Sequence, residues 1–120
     1  MRSVLVVNDS KTERQRLVED LTDGGFAISG ESPDGIDAVS KYKRMRPDVV
    51  IMDLIMPGKG GLEAAFDIMS ANNRANIILY SSVRNETIIS KALDFGVKYF
   101  LPRDYKKEQL IKMVSEIGIR

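Results

Sequence analysis

The chain contains no cysteine, so neither disulfide staples nor thiolate metal ligands are available to it. It also lacks an excess of charge of either sign. Lys and Arg number 18 against 17 Asp and Glu, a net charge of +1 that offers no general field for nucleic acid or an anionic membrane surface. Long apolar runs are missing too: the longest fall far short of a bilayer span. Strand-like residues begin at Ser3, where a signal peptide would still need its basic and apolar regions. There is no internal repeat, low-complexity tract or linker. These absences lead to the expectation of a soluble cytoplasmic protein. What is present, 120 residues with 43% hydrophobic content, suffices for one domain over residues 1–120 to bury a core without staples.

The most informative stretch runs from Asp48 to Gly61. Val49 to Met52 is unbroken, apolar and largely β-branched, the habit of a strand buried on both faces of a parallel sheet. Asp53 ends that strand, which places a carboxylate at the carboxyl edge of the sheet, where open α/β folds hold their ligands. Pro57 and the three glycines that follow it by Gly61 then enforce a loop in which backbone can approach whatever Asp53 holds.

Two periods alternate along the chain. Ser3 to Val7 is a second apolar run, ending in Asn8-Asp9. Ser10 and Glu13 form a capping-box pattern for a helix bearing Leu17, Val18 and Leu21, which Gly24-Gly25 stops. Phe26 to Gly30 reads as a weak, edge-like strand. Asp34 caps a second helix with Ile36, Val39 and Tyr42 at helical spacing, ended by Pro47. Leu62, Ala65, Phe66 and Met69 mark one face of a third helix. Asn76 to Tyr80 is the fourth strand, closing on Ser81-Ser82. A fourth helix, capped by Asn85, turns Ile88, Ile89, Ala92 and Leu93 inward up to Gly96. Val97 to Leu101 is the last strand, and Asp104 caps a final helix with Leu110, Ile111, Val114 and Ile117 on its buried side.

Five strands alternating with five helices predict an α/β fold, a doubly wound parallel sheet with right-handed crossovers. The first, third and fourth strands are the most apolar, as central strands are, so the flavodoxin-like order 2-1-3-4-5 follows, with its switch point between strands 1 and 3. Asn8, Asp9 and Asp53 converge there. Two carboxylates in one crevice repel unless a cation joins them. Oxygens from Asp9, Asp53 and a loop carbonyl suit Mg²⁺, with Asn8 beside them.

These residues carry a resemblance. Along nearly its whole length the chain resembles a response-regulator receiver domain of the CheY-like kind. The shared features are Asn8-Asp9 after strand 1, Asp53 with Met56-Pro57 and Gly61 after strand 3, Ser81 after strand 4, and Phe100 ahead of the cation Arg103 on strand 5. The resemblance implies a phosphorelay in which Asp53 takes a phosphoryl group from a sensor histidine kinase or phosphotransfer protein. Asp9 then helps hold Mg²⁺, and Ser81 and Arg103 bind phosphoryl oxygens. It further implies that Ser81 and Phe100 switch, and that output to a partner or effector domain passes through the face of the fourth helix, fifth strand and fifth helix. Exposed candidates on that face are Lys91, Asp94, Lys98, Tyr99, Tyr105 and Lys106, and a homodimer is one form the output can take. The chain is then a reactant in its own modification and is not expected to be an enzyme.

Three departures bear on mechanism. Asn8 stands where the family usually has a second acid. At roughly 5 Å in a water-accessible site the missing charge is worth on the order of 1 to 2 kcal/mol of attraction for a dication, so weaker Mg²⁺ binding is expected. Arg103 replaces a lysine usually followed by proline, whereas here Pro102 precedes it and Asp104 follows. The Arg103-Asp104 bond is therefore expected to be trans, and the loop displaced from the family's usual path. Ile55 and Val83 stand at positions that in such receivers flank the phosphoryl group, and neither side chain can orient a hydrolytic water, so the resemblance implies a long-lived aspartyl phosphate.

Rival readings remain open. A phosphorylation-independent pseudo-receiver, acting as a protein-interaction module, is favoured by Asn8 and Arg103 and opposed by Asp9, Asp53 and Ser81. A flavodoxin-like cofactor binder wants a hydroxyl- and glycine-rich anion cradle where Asn8-Asp9 stands. A phosphatase of the haloacid-dehalogenase kind wants Asp-x-Asp where the chain reads Asp9-Ser10-Lys11. The basic run Lys41, Lys43, Arg44 and Arg46 offsets the dipole at the end of the second helix and does not point to direct nucleic-acid contact.

Overall fold

The computed structural model describes residues 2–81 and 85–117. In chain order the elements are β1 (Ser3–Val7), α1 (Lys11–Asp23), β2 (Ala27–Ser32), α2 (Gly35–Met45), β3 (Val49–Asp53), α3 (Gly61–Ala71), β4 (Ile77–Ser81), α4 (Glu86–Asp94), β5 (Tyr99–Pro102) and α5 (Lys107–Glu116). The five strands form one parallel sheet in the order β2-β1-β3-β4-β5, as the apolar content of the strands predicts.

Strand alternation divides the interior into two layers. Leu5, Val7, Val50, Met52, Ile77 and Leu79 face α2, α3 and α4. Val4, Val6, Val49, Ile51, Ile78 and Leu101 face Leu17 and Leu21 of α1 and Leu110, Val114 and Ile117 of α5. β3 is buried at all five positions, which accounts for its lack of polar–apolar alternation.

Register assembles the carboxyl edge. Val7 pairs with Met52, so Asn8 follows β1 at the level where Asp53 follows Met52. Asp53 pairs with Tyr80, and Ser81 with Pro102, so the ends of β3, β4 and β5 come level on one rim. The Leu54 N–H donates to the Tyr80 carbonyl at 2.9 Å and holds the rim beyond the last ladder pair.

Several expectations are corrected. β2 occupies Ala27–Ser32 and not residues 26–30, because β1 recruits it as far as the Val7–Ser32 pair, with an irregularity after Val4. The fifth strand begins at Tyr99, although Val97 ahead of it is buried. The N-cap of α5 is Lys106, not Asp104. The chain first turns, with Tyr105 N–H donating to the Pro102 carbonyl at 3.2 Å, and the Gln109 side chain then accepts from Lys106 N–H at 3.4 Å. Ile36, Phe66 and Leu93 are exposed, against the inward reading. Phe66 and Leu93 each follow a fully buried alanine, Ala65 and Ala92, and one residue turns a helical side chain about 100° away from its neighbour. Tyr105, expected on the surface, is buried: its hydroxyl donates to Asp20 Oδ2 at 2.7 Å and the Arg16 guanidinium covers its ring at 4.2 Å. No peptide bond is cis among the described residues, so the Arg103-Asp104 bond is trans as expected.

Candidate functional site

Asp53 is delivered to the rim by β3 with only 3% of its surface exposed. Its Oδ1 accepts from Ile55 N–H at 3.3 Å, and its Oδ2 lies 3.7 Å from an Arg103 terminal nitrogen. Burial raises the carboxyl above its ordinary acidity range. The Ile55 N–H and the Arg103 guanidinium oppose that rise, and the Asp9 and Glu13 carboxylates add to it. Asp53 is therefore a desolvated carboxylate under negative fields, with compensation that is partial and at arm's length. Close backbone approach makes this seat. The Gly61 N–H donates to the Leu54 carbonyl at 3.0 Å, and a Cβ at Gly61 would stand 2.1 Å from the Asp53 carbonyl oxygen.

The other expected residues sit around the same rim. Asp9 is exposed on the loop after β1 and is felt electrostatically at Asp53. Asn8 is fully buried; its Oδ1 accepts from Ser10 N–H at 2.8 Å, and its Nδ2 has no hydrogen-bond partner. Arg14 donates to the Asn8 carbonyl at 2.6 Å and ties this loop to α1. Ser81 ends β4, half-buried, at an open groove of about 530 Å³ that Arg16, Pro102, Arg103 and Asp104 also line. Ile55 is 59% exposed beside the acceptor, and Val83 lies outside the described residues. Phe100 is half-buried and packs against the layer under α4. Arg16 donates to the Arg103 and Tyr105 carbonyls at 3.3 and 3.1 Å, so α1 holds the β5–α5 loop at the site.

Glu13 was missed as a site residue because its spacing from Ser10 fits a capping box. Ser10 Oγ does accept from Glu13 N–H at 3.3 Å, but the reciprocal bond is not made, since Asn8 Oδ1 already takes Ser10 N–H. The freed carboxylate crosses to the sheet. Its Oε1 accepts from the Tyr80 hydroxyl at 2.8 Å and lies 2.9 Å from Arg103 Nε, an ion pair off the N–H direction and not a hydrogen bond. Burial and this carboxylate push the Tyr80 phenol up to about 12. The signal available in the sequence was Glu13 itself, one helical turn past Asp9 and so at the same end of the sheet.

Among the described residues no three of His, Cys, Asp and Glu gather as a metal cluster. The rim offers two carboxylates, Asp9 and Asp53, with Asn8 in the remaining position. That set fits Mg²⁺, which takes one or two carboxylates and keeps several waters. Burial first, and the Asp9 and Glu13 carboxylates to a smaller degree, hold the Asp53 carboxyl above its ordinary range, and a cation bound beside it would oppose both.

A doubly wound sheet that centres its switch point on a nearly buried aspartate, flanked by a second acid, a hydroxyl and a guanidinium, defines a flavodoxin-like protein with a carboxylate-based crevice in place of a phosphate loop. Comparison narrows the class. The family described as the response regulator receiver domain matches residues 4–115. The chain is 35% identical over 117 residues to protein CcdB of Bacillus subtilis and 30% identical over 117 residues to the chemotaxis protein CheY of Thermotoga maritima, in each case covering 98% of both chains. Among solved structures, the CheX–CheY–BeF3–Mg²⁺ complex from Borrelia burgdorferi superimposes with a TM-score of 0.93 at 28% identity, over 99% of this chain and 90% of that one. The chain belongs to the response regulator receiver domain family.

Proposed function

We propose that Asp53 is a phosphoacceptor, charged by a sensor histidine kinase or phosphotransfer protein with Mg²⁺ at Asp9, Asp53 and the Ile55 carbonyl. The observation that carries this reading is the state of Asp53: it is 3% exposed, at the switch point, under Asp9 and Glu13, with Arg103 only 3.7 Å away. An Asp53 oxygen forms the bond to phosphorus as the bond from phosphorus to the donor imidazole nitrogen breaks, and the imidazole leaves with that electron pair. Phosphoryl transfer has a loose transition state, so the protein's task is to position the groups and neutralise charge. Bound Mg²⁺ supplies charge neutralisation for the phosphoryl oxygens. Arg103 and the Ser81 hydroxyl, both at the same groove, take oxygens as they arrive.

Output follows through the α4–β5–α5 face, where Lys91, Asp94, Lys98 and Lys106 are exposed. Added charge at Asp53 biases Ser81 and Phe100 and, with them, that face toward a partner or effector domain. The exposed Ile55 crowds the acceptor with an apolar group and supports slow hydrolysis. The chain acts only on itself in this scheme. No helix among the described residues is long and apolar enough to cross a membrane.

The test is incubation with beryllofluoride and Mg²⁺, followed by thermal melting. The wild-type Tm is expected to rise with ligand concentration, as for any ligand that binds only the native state, and Asp53→Asn is expected to show no rise. A wild-type Tm that stays flat favours the pseudo-receiver, the reading that the lone amide of Asn8 also supports.

A further inference from the structure

Arg103 is the cation that the proposed chemistry needs, and it is already engaged elsewhere. Its Nε lies 2.9 Å from Glu13 Oε1, whereas its nearest nitrogen to Asp53 stands at 3.7 Å, beyond hydrogen-bond reach. The Glu13 carboxylate is itself steered, because the hydroxyl of Tyr80, a fully buried residue of β4, donates to the same oxygen at 2.8 Å. The anchor therefore does not move with Arg103.

We propose that Glu13, held by Tyr80, is a positioning residue that keeps Arg103 away from Asp53 until the acceptor carries a phosphoryl group. Before transfer, Asp53 presents one carboxylate at a distance and Glu13 one in contact, so the guanidinium stays with Glu13. A phosphoryl group places about two negative charges and three strong acceptor oxygens next to Asp53, and a planar guanidinium fork binds such a group bidentately. The balance then reverses. Arg103 is 43% exposed in its side chain and so has room to turn, while Arg16 holds the loop by the Arg103 and Tyr105 carbonyls and leaves the side chain to move alone. Glu13 thus sets a threshold: it lowers the affinity of the site for a phosphoryl group by the strength of the contact that must be broken.

This inference rests on the phosphoacceptor reading, and the experiment separates the two. Beryllofluoride with Mg²⁺ is titrated into the wild type, Glu13→Gln, Arg103→Gln and the double variant, with melting of each in the absence of ligand to verify folding. Gln at 13 keeps an oxygen for the Tyr80 hydroxyl and removes only the charge. For a partly exposed ion pair the expected result is an affinity about 2- to 5-fold tighter in Glu13→Gln than in the wild type. Arg103→Gln weakens binding, and adding Glu13→Gln to it recovers only the smaller part that comes from the direct repulsion of the Glu13 charge at Asp53. A purely structural Glu13 predicts otherwise, namely the same effect with or without the arginine. An unchanged or weaker Glu13→Gln, or an equal effect in both backgrounds, overturns the inference while leaving the phosphoacceptor reading intact. Failure of the wild type to bind at all overturns both.

Discussion

Replacing Gly61 by alanine tests whether the seat of Asp53 depends on backbone packing that admits no side chain. A Cβ at this position would lie 2.1 Å from the Asp53 carbonyl oxygen and 2.9 Å from both the Asp53 carbonyl carbon and Leu54 Cα, where ordinary contact begins at 3.4 Å. The obstacles are all backbone, so no rotamer relieves them. The start of α3 and the end of β3 must separate by more than an ångström, which strains the 3.0 Å bond from Gly61 N–H to the Leu54 carbonyl. Overpacking of this kind costs about 1–3 kcal/mol. For a domain of this size, about 3–6 °C is lost per kcal/mol, so the Tm is expected to fall by about 3–18 °C. Gly60→Ala is the control. Its Cβ would meet only the Leu54 carbonyl oxygen, at 3.4 Å, and its φ of −79° suits alanine, so its cost is confined to the preference for glycine over alanine at the N-cap of α3, about 1 kcal/mol or less. Thermal melting followed by far-ultraviolet circular dichroism reads both. A functional arm accompanies it, because a misplacement of about 1 Å at a reacting group costs on the order of 100-fold in rate. Phosphorylation of Gly61→Ala by a small-molecule phosphodonor is therefore expected to fall further than its stability alone accounts for. If the two alanine variants melt together, whether both near the wild type or both far below it, the packing argument fails.

Two further outcomes follow from the charges. Because burial raises Asp53 above its ordinary value of 3.8, the native state holds that proton more tightly than the unfolded chain does. Stability is therefore lost as pH rises from 3.8 through the raised native value, and the deficit is complete above it. In chelator, Asp53→Asn is expected to melt above the wild type at pH 7, with a gap that closes as pH falls below the unfolded value; a gap that persists or widens in acid contradicts the assignment. Asn8→Asp restores a second acid at a buried position whose oxygen already accepts from Ser10 N–H, and a charge worth about 1–2 kcal/mol toward a dication is expected to tighten Mg²⁺ binding about 5- to 30-fold by calorimetric titration. Unaltered binding would show that position 8 does not face the metal.

Periodicity and turn chemistry, both local, were enough to read the ten elements and their order from the chain alone. The unbroken run at Val49 to Met52 announced a central strand, and its position ahead of Asp53 and the glycine loop announced where a ligand site belongs. The same logic went astray wherever a neighbour in space decided the outcome. Phe66 and Leu93 have core-like chemistry, but adjacent alanines occupy the buried stripe. Tyr105 looks like a surface aromatic until Asp20 and Arg16, far back in the chain, bracket it.

What the sequence determined by itself is the set of strands and helices, the parallel order they adopt, and the presence of Asp9, Asp53, Ser81 and Arg103 at strand ends, because elements and strand ends follow from residues within a few positions of one another and the order from the relative apolar content of the strands. What only the tertiary structure decided is the allocation of partners at the rim. Asn8 takes the N–H that Glu13 was expected to accept, Glu13 goes to Tyr80 and Arg103, and Arg103 stops short of Asp53. The reason is competition: several donors and acceptors of nearly equal strength lie within reach, and the register of three parallel strands settles which distances are shortest.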